Sequence, residues 1–416
     1  MAEPAAAVST TPATASESAA KAASTTRTLV ALVVGQICLH SCMTGVRMAA
    51  PLQMLRQSHS AWTVGVLMGL FAAAPVLLAL PAGRLADRHG YHRPLRVGVA
   101  LTVLGGLLAV LATWWVRADL YILCLAAVCT GAGANVGLIA IQRTAGRTAT
   151  SAAERRRVFS WLGLAPALSN VAGPVLAGAL IDLGGFALAF SAMALLPVLG
   201  LWWARRVPVE AAGPRQGRDR SHNSWQLLRS PGMGRLLFVN VLLSASWDVH
   251  TFVVPILGHE RHFSASAIGL ILGAFAAAVA LVRLLIPMLA NHLRENQVLT
   301  GAMLWTGAVF AVYPFLHSAW AMGVCAVLLG LSLGSVQPMV MTTLHQITPN
   351  ERHGEAIALR SMVSNSSSAL MPLVFGVAGA AIGAATLFWV MGAAVMLGST
   401  QARRIGVTAV AEPIRT

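Results

Sequence analysis

Apolar runs of about 20 residues recur twelve times along this chain, and that recurrence leaves few folds open. A run of that length, wound as an α-helix, matches the hydrocarbon thickness of a bilayer. The runs fall at about 28–55, 62–82, 94–116, 119–142, 159–180, 186–204, 235–257, 266–290, 297–316, 319–345, 355–380 and 383–402. Charge is scarce: 10% of the 416 residues are Asp, Glu, Lys or Arg and 56% are hydrophobic, whereas soluble domains carry roughly 25% charged residues. In lipid each backbone polar group must be bonded within the protein, so the pattern predicts an all-α membrane protein with twelve transmembrane helices.

The basic residues set the expected orientation. With both termini on the cytoplasmic side, 23 Lys and Arg residues fall on that side and only Arg56, Arg117 and Arg261 on the other. Arg47, Arg283 and Arg360 lie within spans. So strong a bias places the chain in the cytoplasmic (inner) membrane as a multi-pass protein. The net charge of +15 does not signal nucleic acid, because the Arg residues sit in short loops with no aromatic-interleaved basic face. The five cysteines all lie in apolar runs without metal-ligand spacing to His, which favours packing.

Residues 1–26 are rich in Ala, Ser and Thr and are expected to form a disordered cytoplasmic tail; they lack the charged start and short apolar core of a signal peptide. A first bundle of six helices is expected over 27–204. A cytoplasmic linker with six Arg residues follows over 205–234, then a second bundle over 235–404 and a cytoplasmic tail over 405–416. The linker's charge suits anionic membrane lipid, though a plain solvated connection explains it as well. The bundles repeat each other. A shift of 204 residues places Pro51 on Pro255, Gly65 on Gly269, Gly69 on Gly273 and Phe71–Ala74 on Phe275–Ala278. A shift of 198 places Pro174 on Pro372 and Gly178 on Gly376.

Gly83, Asp87, Arg88, Gly90 and Arg93 punctuate the loop between the second and third runs. Gly83 and Gly90 leave room for a turn or a close helix approach, and Asp87 is a fixed charge suited to the N-terminal end of another helix. This spacing resembles the loop 2–3 motif of the major facilitator superfamily, Gly-x-x-x-Asp-Arg-x-Gly-x-basic-basic, with His92 standing at one basic position. The resemblance covers about 27–404. It implies two pseudo-symmetric six-helix bundles around a cavity that opens alternately to each side, in a chain acting as a monomer. Asn291 replaces the acid in the second half, so a conformational gating motif is expected in the first half only. Gly173, Pro174 and Gly178 resemble the Gly-Pro-x-x-Gly-Gly motif of drug and metabolite antiporters, with Ala177 at one glycine position and Ser169 replacing an upstream glycine. That resemblance implies export. The Arg that many relatives carry in the fourth span is replaced by Ala127, so its proton role is not carried over.

Polar groups inside the spans are the candidate substrate and proton pathway: Arg47, Asn135, Asp248, His250, Arg283, Gln337, Arg360 and Asn365. Asp248 is the one acid placed well inside a span, and a buried acid must be paired or protonated; a structural ion pair with Arg47 is the plainer alternative. His250, two residues on, titrates near neutral pH and is a second proton candidate. Asn135 can line the cavity or bond a neighbouring helix. Arg360 can contact substrate, snorkel to the surface or pair with Glu355. Three Arg against one acid favour an anionic or zwitterionic substrate. No nucleotide-binding loop, hydrolase elbow or metal motif occurs, so neither cofactor nor metal is expected and the chain does not read as an enzyme. The expected activity is secondary transport of a small organic molecule: proton-coupled export, or alternatively uptake or facilitated transport of a small organic anion bearing carboxylate or phosphate.

Overall fold

The computed structural model describes residues 12–148, 152–208, 227–228, 230–289, 294–349 and 352–405. These are helical almost throughout, in the expected order. Span 1 lies in the helix Pro12–Arg56, span 2 in Ala61–His89, span 3 in His92–Trp114 and span 4 in Asp119–Thr148. Span 7 is Met233–Glu260, span 8 Ala265–Leu289, span 9 Glu295–Val312, span 11 His353–Ile382 and span 12 Ala384–Arg403.

Eleven helical stretches are long and apolar enough to cross a membrane, and one of them holds two crossings. Within Ala152–Ala204 the helix breaks at Gly184–Gly185, where Gly185 takes φ +80° and ψ −179°, a conformation open only to glycine. Spans 5 and 6 lie on either side of this break, giving twelve in all. Span 10 is one crossing with a flaw: Ala319–Gly334 and Val336–Ile347 meet at Ser335. Pro338 has no N–H to give the carbonyl four residues back, and the helix breaks at that point. Ser335 Oγ donates to the Ser332 carbonyl at 2.8 Å beside the break.

One expectation needs correction. Helix begins at Pro12, so the stretch read as a disordered tail over 1–26 is helical from residue 12. Its alanines have the highest helix propensity and continue span 1 outward. Residues 1–11, most of the 205–234 linker and residues 406–416 lie outside the described residues, as does Asn291.

The two halves meet along two seams, span 2 against span 11 and span 5 against span 8. Both are tightest at the face opposite the loop 83–93. A Cβ on Gly65 would lie 2.5 Å from the Pro372 carbonyl and 2.8 Å from Gly376 Cα. On the other seam, a Cβ on Gly269 would strike the Pro174 carbonyl, and one on Gly178 the Ala265 carbonyl. Gly65 is the repeat partner of Gly269, and Gly178 of Gly376. The sequence duplication therefore reappears as two equivalent glycine contacts closing one face.

The face bearing loop 83–93, here called the Arg-rich face, differs. Residues 76–79 of span 2 are four successive exposed positions. At 100° per residue they sweep most of the helix circumference, so span 2 has left its neighbours there. The halves are sealed at the far face and part toward the Arg-rich face.

The 5–8 seam has a polar fastening. Asp182 accepts hydrogen bonds from the backbone N–H groups of Ala265 (3.1 Å) and Ser266 (2.7 Å), capping span 8 from the opposite half. Its repeat counterpart is Ala380, so the 2–11 seam has no such cap. Removing this charge from a helix start should cost the far-closed state about 0.5–1 kcal/mol. With Asp182→Asn, a cysteine placed at Leu272 in a background cleared of native cysteines should label from the far face roughly two- to fivefold more. Unchanged labelling would show that the cap does not hold the seam.

Candidate functional site

Spans 1 and 7 are repeat equivalents and face each other across the molecular centre. Two positions on each carry the site. Arg47 is the repeat partner of Thr251, and Thr44 the partner of Asp248, so each half contributes one charge and one hydroxyl. Each pair of partners shares a depth, which sets Arg47 and Asp248 three positions, about 4.5 Å of helix rise, apart. The Arg47 Nη2 to Asp248 Oδ1 distance is 3.9 Å, an ion pair between the halves but beyond hydrogen-bond length. Ser368 of span 11 donates its Oγ–H to Asp248 Oδ2 at 3.0 Å. Arg47 Nε and Nη2 are sealed from solvent and have no hydrogen-bond partner.

A cavity of about 60 Å³ opens beside this pair. The first half lines it with Thr44, Arg47 and Met48 of span 1, Met68 of span 2, and Asn170 and Pro174 of span 5. The second half supplies Trp247, Thr251, Leu272, Phe275 and Ala276. Trp247 packs edge-on against Phe275, with ring centres 4.6 Å apart. One cationic fork, two hydroxyls, one amide and an aromatic wall describe a pocket for a small amphipathic molecule.

His250 does not join Asp248. Two residues along a helix point to nearly opposite sides. Asp248 faces spans 1 and 11, whereas His250 is fully buried inside the second bundle, against the Phe275 ring and sharing a 3.2 Å hydrogen bond with the Tyr313 hydroxyl. Asn135 donates to the Pro75 carbonyl at 3.3 Å, which is the helix-bonding alternative. Gln337 and Asn365 are exposed and do not line the cavity.

Arg360 does not pair with Glu355. Glu355 is taken by Arg352 at 2.7 Å, and Arg360 Nε instead donates to Asn240 Oδ1 at 3.3 Å. Asn240 in turn donates to Ser364 Oγ at 2.8 Å. Arg283 lies within electrostatic reach of Arg360, and its Nε is buried without a partner.

In the loop motif, Asp87 accepts from Arg143 Nε at 3.0 Å, within its own half, rather than seating on a helix of the other half. The parting at the Arg-rich face accounts for this. Gly90 takes φ +66°, the left-handed turn that needs glycine, while a Cβ on Gly83 would meet nothing within 4 Å. Arg88 and Arg93 are exposed, and His92, the departure from the motif, shares a 3.0 Å hydrogen bond with the Val207 carbonyl. Gly173 packs against Thr44 and Gly45 of span 1 and Gly178 against Ala265 of span 8, so both glycines of the span 5 motif serve helix contact, while Pro174 also lines the cavity.

Asn170, Asn240 and Asp182 escaped the sequence reading. Asn240 had a visible signal, since the 204-residue shift places it on Gln36, another polar residue in an apolar run. Asp182 looked like an ordinary span end.

Two six-helix halves, a central pocket built from both, and closure at one face define a membrane transporter. The sequence profile of the Major Facilitator Superfamily matches residues 32–234 and 236–403, and the chain belongs to that family. It is 26% identical over 347 residues to the enterobactin exporter EntS of Citrobacter koseri, covering 80% of each chain. It is 26% identical to the class G tetracycline resistance protein of Vibrio anguillarum, covering 75% of this chain and 79% of that one. Among solved structures, a POT family transporter in complex with 5-aminolevulinic acid superposes with a TM-score of 0.75 at 14% identity, over 89% of this chain and 94% of that one. A bacterial homologue of the iron transporter ferroportin in an inward-facing state gives 0.70 at 16%, over 93% and 99%.

Proposed function

We propose that the chain exports a small organic molecule across the cytoplasmic membrane by alternating access, as a monomer, with the Arg-rich face in the cytoplasm and Asp248 as the proton-binding group. The carrying observation is that the one mid-depth acid among the described residues faces an Arg of the opposite half beside the pocket. Such a pair responds to both the proton and the ligand, since a proton on Asp248 releases Arg47. A molecule that competes with the proton at Asp248 is exchanged for it; one that takes Arg47 loads with it. Exchange under an inward proton gradient drives export, and the efflux relatives and the resemblance of Gly173, Pro174 and Gly178 to the antiporter motif support that direction. Arg47's unpartnered nitrogens favour a second reading, the proton-linked or facilitated movement of a small organic anion.

Inverted membrane vesicles distinguish the two. Export predicts accumulation of substrate inside inverted vesicles, collapsing at least tenfold on addition of a protonophore. Accumulation only in right-side-out vesicles would reverse the direction, and flux indifferent to the protonophore would remove the proton.

A further inference from the structure

Three guanidiniums line one route through the molecule, and the fold does not require them. On span 8, Leu272 and Ala276 line the cavity, and Arg283 lies seven residues past Ala276 on the same helix stripe. That displacement is about 10 Å toward the Arg-rich face. On span 7, Asn240 stands seven residues before Trp247 and eleven before Thr251, again on the cavity stripe. Arg360, Ser364 and Ser368 run down the facing stripe of span 11, bonding Asn240 and Asp248. The half-buried Arg283 and Arg360 thus stand between the Arg-rich face and Arg47, on a side called here the vestibule, with Asn240 buried behind Arg360.

This side is out of charge balance. Arg283 and Arg360 repel each other, and among the described residues no carboxylate bonds to either. Arg283 Nε and Arg47 Nε are sealed without a hydrogen-bond partner, and Arg47 Nη2 has only its 3.9 Å ion pair with Asp248. An unmade hydrogen bond from a buried charged donor is costly unless a ligand completes it. The repeat shows that packing alone would accept apolar groups here: the counterparts of Arg283 and Arg360 in the first half are Ala79 and Leu162. The planar fork of Arg suits bidentate contact with carboxylate or phosphate.

We propose that the transported molecule is a small organic anion with a flat apolar body, its acidic group passing between Arg283–Arg360 in the vestibule and Arg47 in the cavity while the body lies against Trp247 and Phe275. This deepens the second of the two readings above and holds for either direction of net flux. Asp248 anchors Arg47 from one side and leaves the remaining donors to the ligand.

Benzoate, benzamide and benzamidine offer one ring with negative, zero and positive charge. They are titrated against purified full-length protein, followed by tryptophan fluorescence. Benzoate is expected to bind at least tenfold more tightly than benzamide, and benzamidine not at all. Arg47→Gln should abolish that preference, with Arg47→Lys retaining part of it. The double change Arg283→Gln and Arg360→Gln should weaken benzoate three- to fivefold and slow its loading. Equal binding of all three, no binding, or a preference for benzamidine overturns the proposal. So does stabilisation by phosphatidylglycerol vesicles with indifference to benzoate, which would make the vestibule a lipid-headgroup site. The transporter reading is lost separately, only if a cysteine at Leu272 never becomes labelled from the far face under any condition.

Discussion

Transport by the Asp248→Asn protein should lose its dependence on the proton gradient while exchange of substrate between the two sides persists. Asn keeps the shape of the carboxylate and can still accept the Ser368 hydroxyl, so the pocket remains in place. What disappears is the acid paired with Arg47 beside the cavity, while His40, seven residues before Arg47 and within its electrostatic reach, remains. Gradient-driven accumulation should fall at least thirtyfold, and a protonophore should no longer reduce what is left. Counterflow measured with equal pH on both sides should stay within about threefold of the original protein. Loss of counterflow together with accumulation would assign Asp248 to folding or ligand contact instead. The stability side of the argument is separable. Removing one partner of a buried ion pair costs about 3–5 kcal/mol, because the other charge is left uncompensated. Here the cost should sit below that range, since the pair is already 3.9 Å apart and the Arg47 side chain is 24% exposed. Pairing Asp248→Asn with Arg47→Gln removes both charges and should recover most of the lost stability without restoring proton dependence.

Gly269→Val should trap the carrier with its far face open. The new Cβ would strike the Pro174 carbonyl, which belongs to a helix backbone and cannot rotate away as a side chain can. Overpacking a tight contact costs about 1–3 kcal/mol, and the penalty falls on the far-closed state alone, because the seam separates in the other state. That difference shifts the balance between states about 5- to 150-fold. Far-face labelling of a cysteine at Leu272 should rise accordingly, and net transport should fall at least tenfold. The repeat gives an internal control. Gly65→Val meets the equivalent contact on the other seam and should produce the same phenotype, whereas Gly301→Val on span 9, exposed and with nothing within 4 Å, should leave transport nearly intact. Normal cycling in both seam variants would mean that the seal is not a moving contact.

Local patterns carried most of the architecture. Apolar run length marks a crossing by itself, because lipid leaves the backbone no other partner, and so the twelve crossings were legible. The two seams were legible in a less obvious way. The shifts that align Gly65 with Gly269 and Gly178 with Gly376 name the four residues that meet, though not which meets which; that depends on how the bundles face. The helix before residue 26 was hidden because Ala-rich sequence with Ser and Thr fits either a tail or a helix extended from a membrane span. The site divides along the same line. Arg47 and Asp248 announced themselves as charges in apolar runs. The supposed partnership of Asp248 with His250 rested on closeness in sequence, and helix geometry sends the two side chains to different bundles of neighbours. Asp182 could not be recognised as a cap, since its partners are backbone N–H groups 83 and 84 positions along the chain.

The placement of Arg47 and Asp248 on equivalent helices has an electrical consequence. Repeat partners share a depth, and Arg47 and Asp248 stand three positions apart in the repeat with their charges 3.9 Å apart, so the dipole between them spans only a small part of the roughly 30 Å hydrocarbon core. A transmembrane voltage acts along the normal, where it is worth about 2.3 kcal/mol per charge per 100 mV across the full thickness, and does little work on a dipole that spans so small a part of it. The unloaded protein should therefore reset at a rate that voltage barely touches. Whatever current–voltage slope the full cycle displays belongs to the cargo and to any proton it moves with, and can be read as their combined valence.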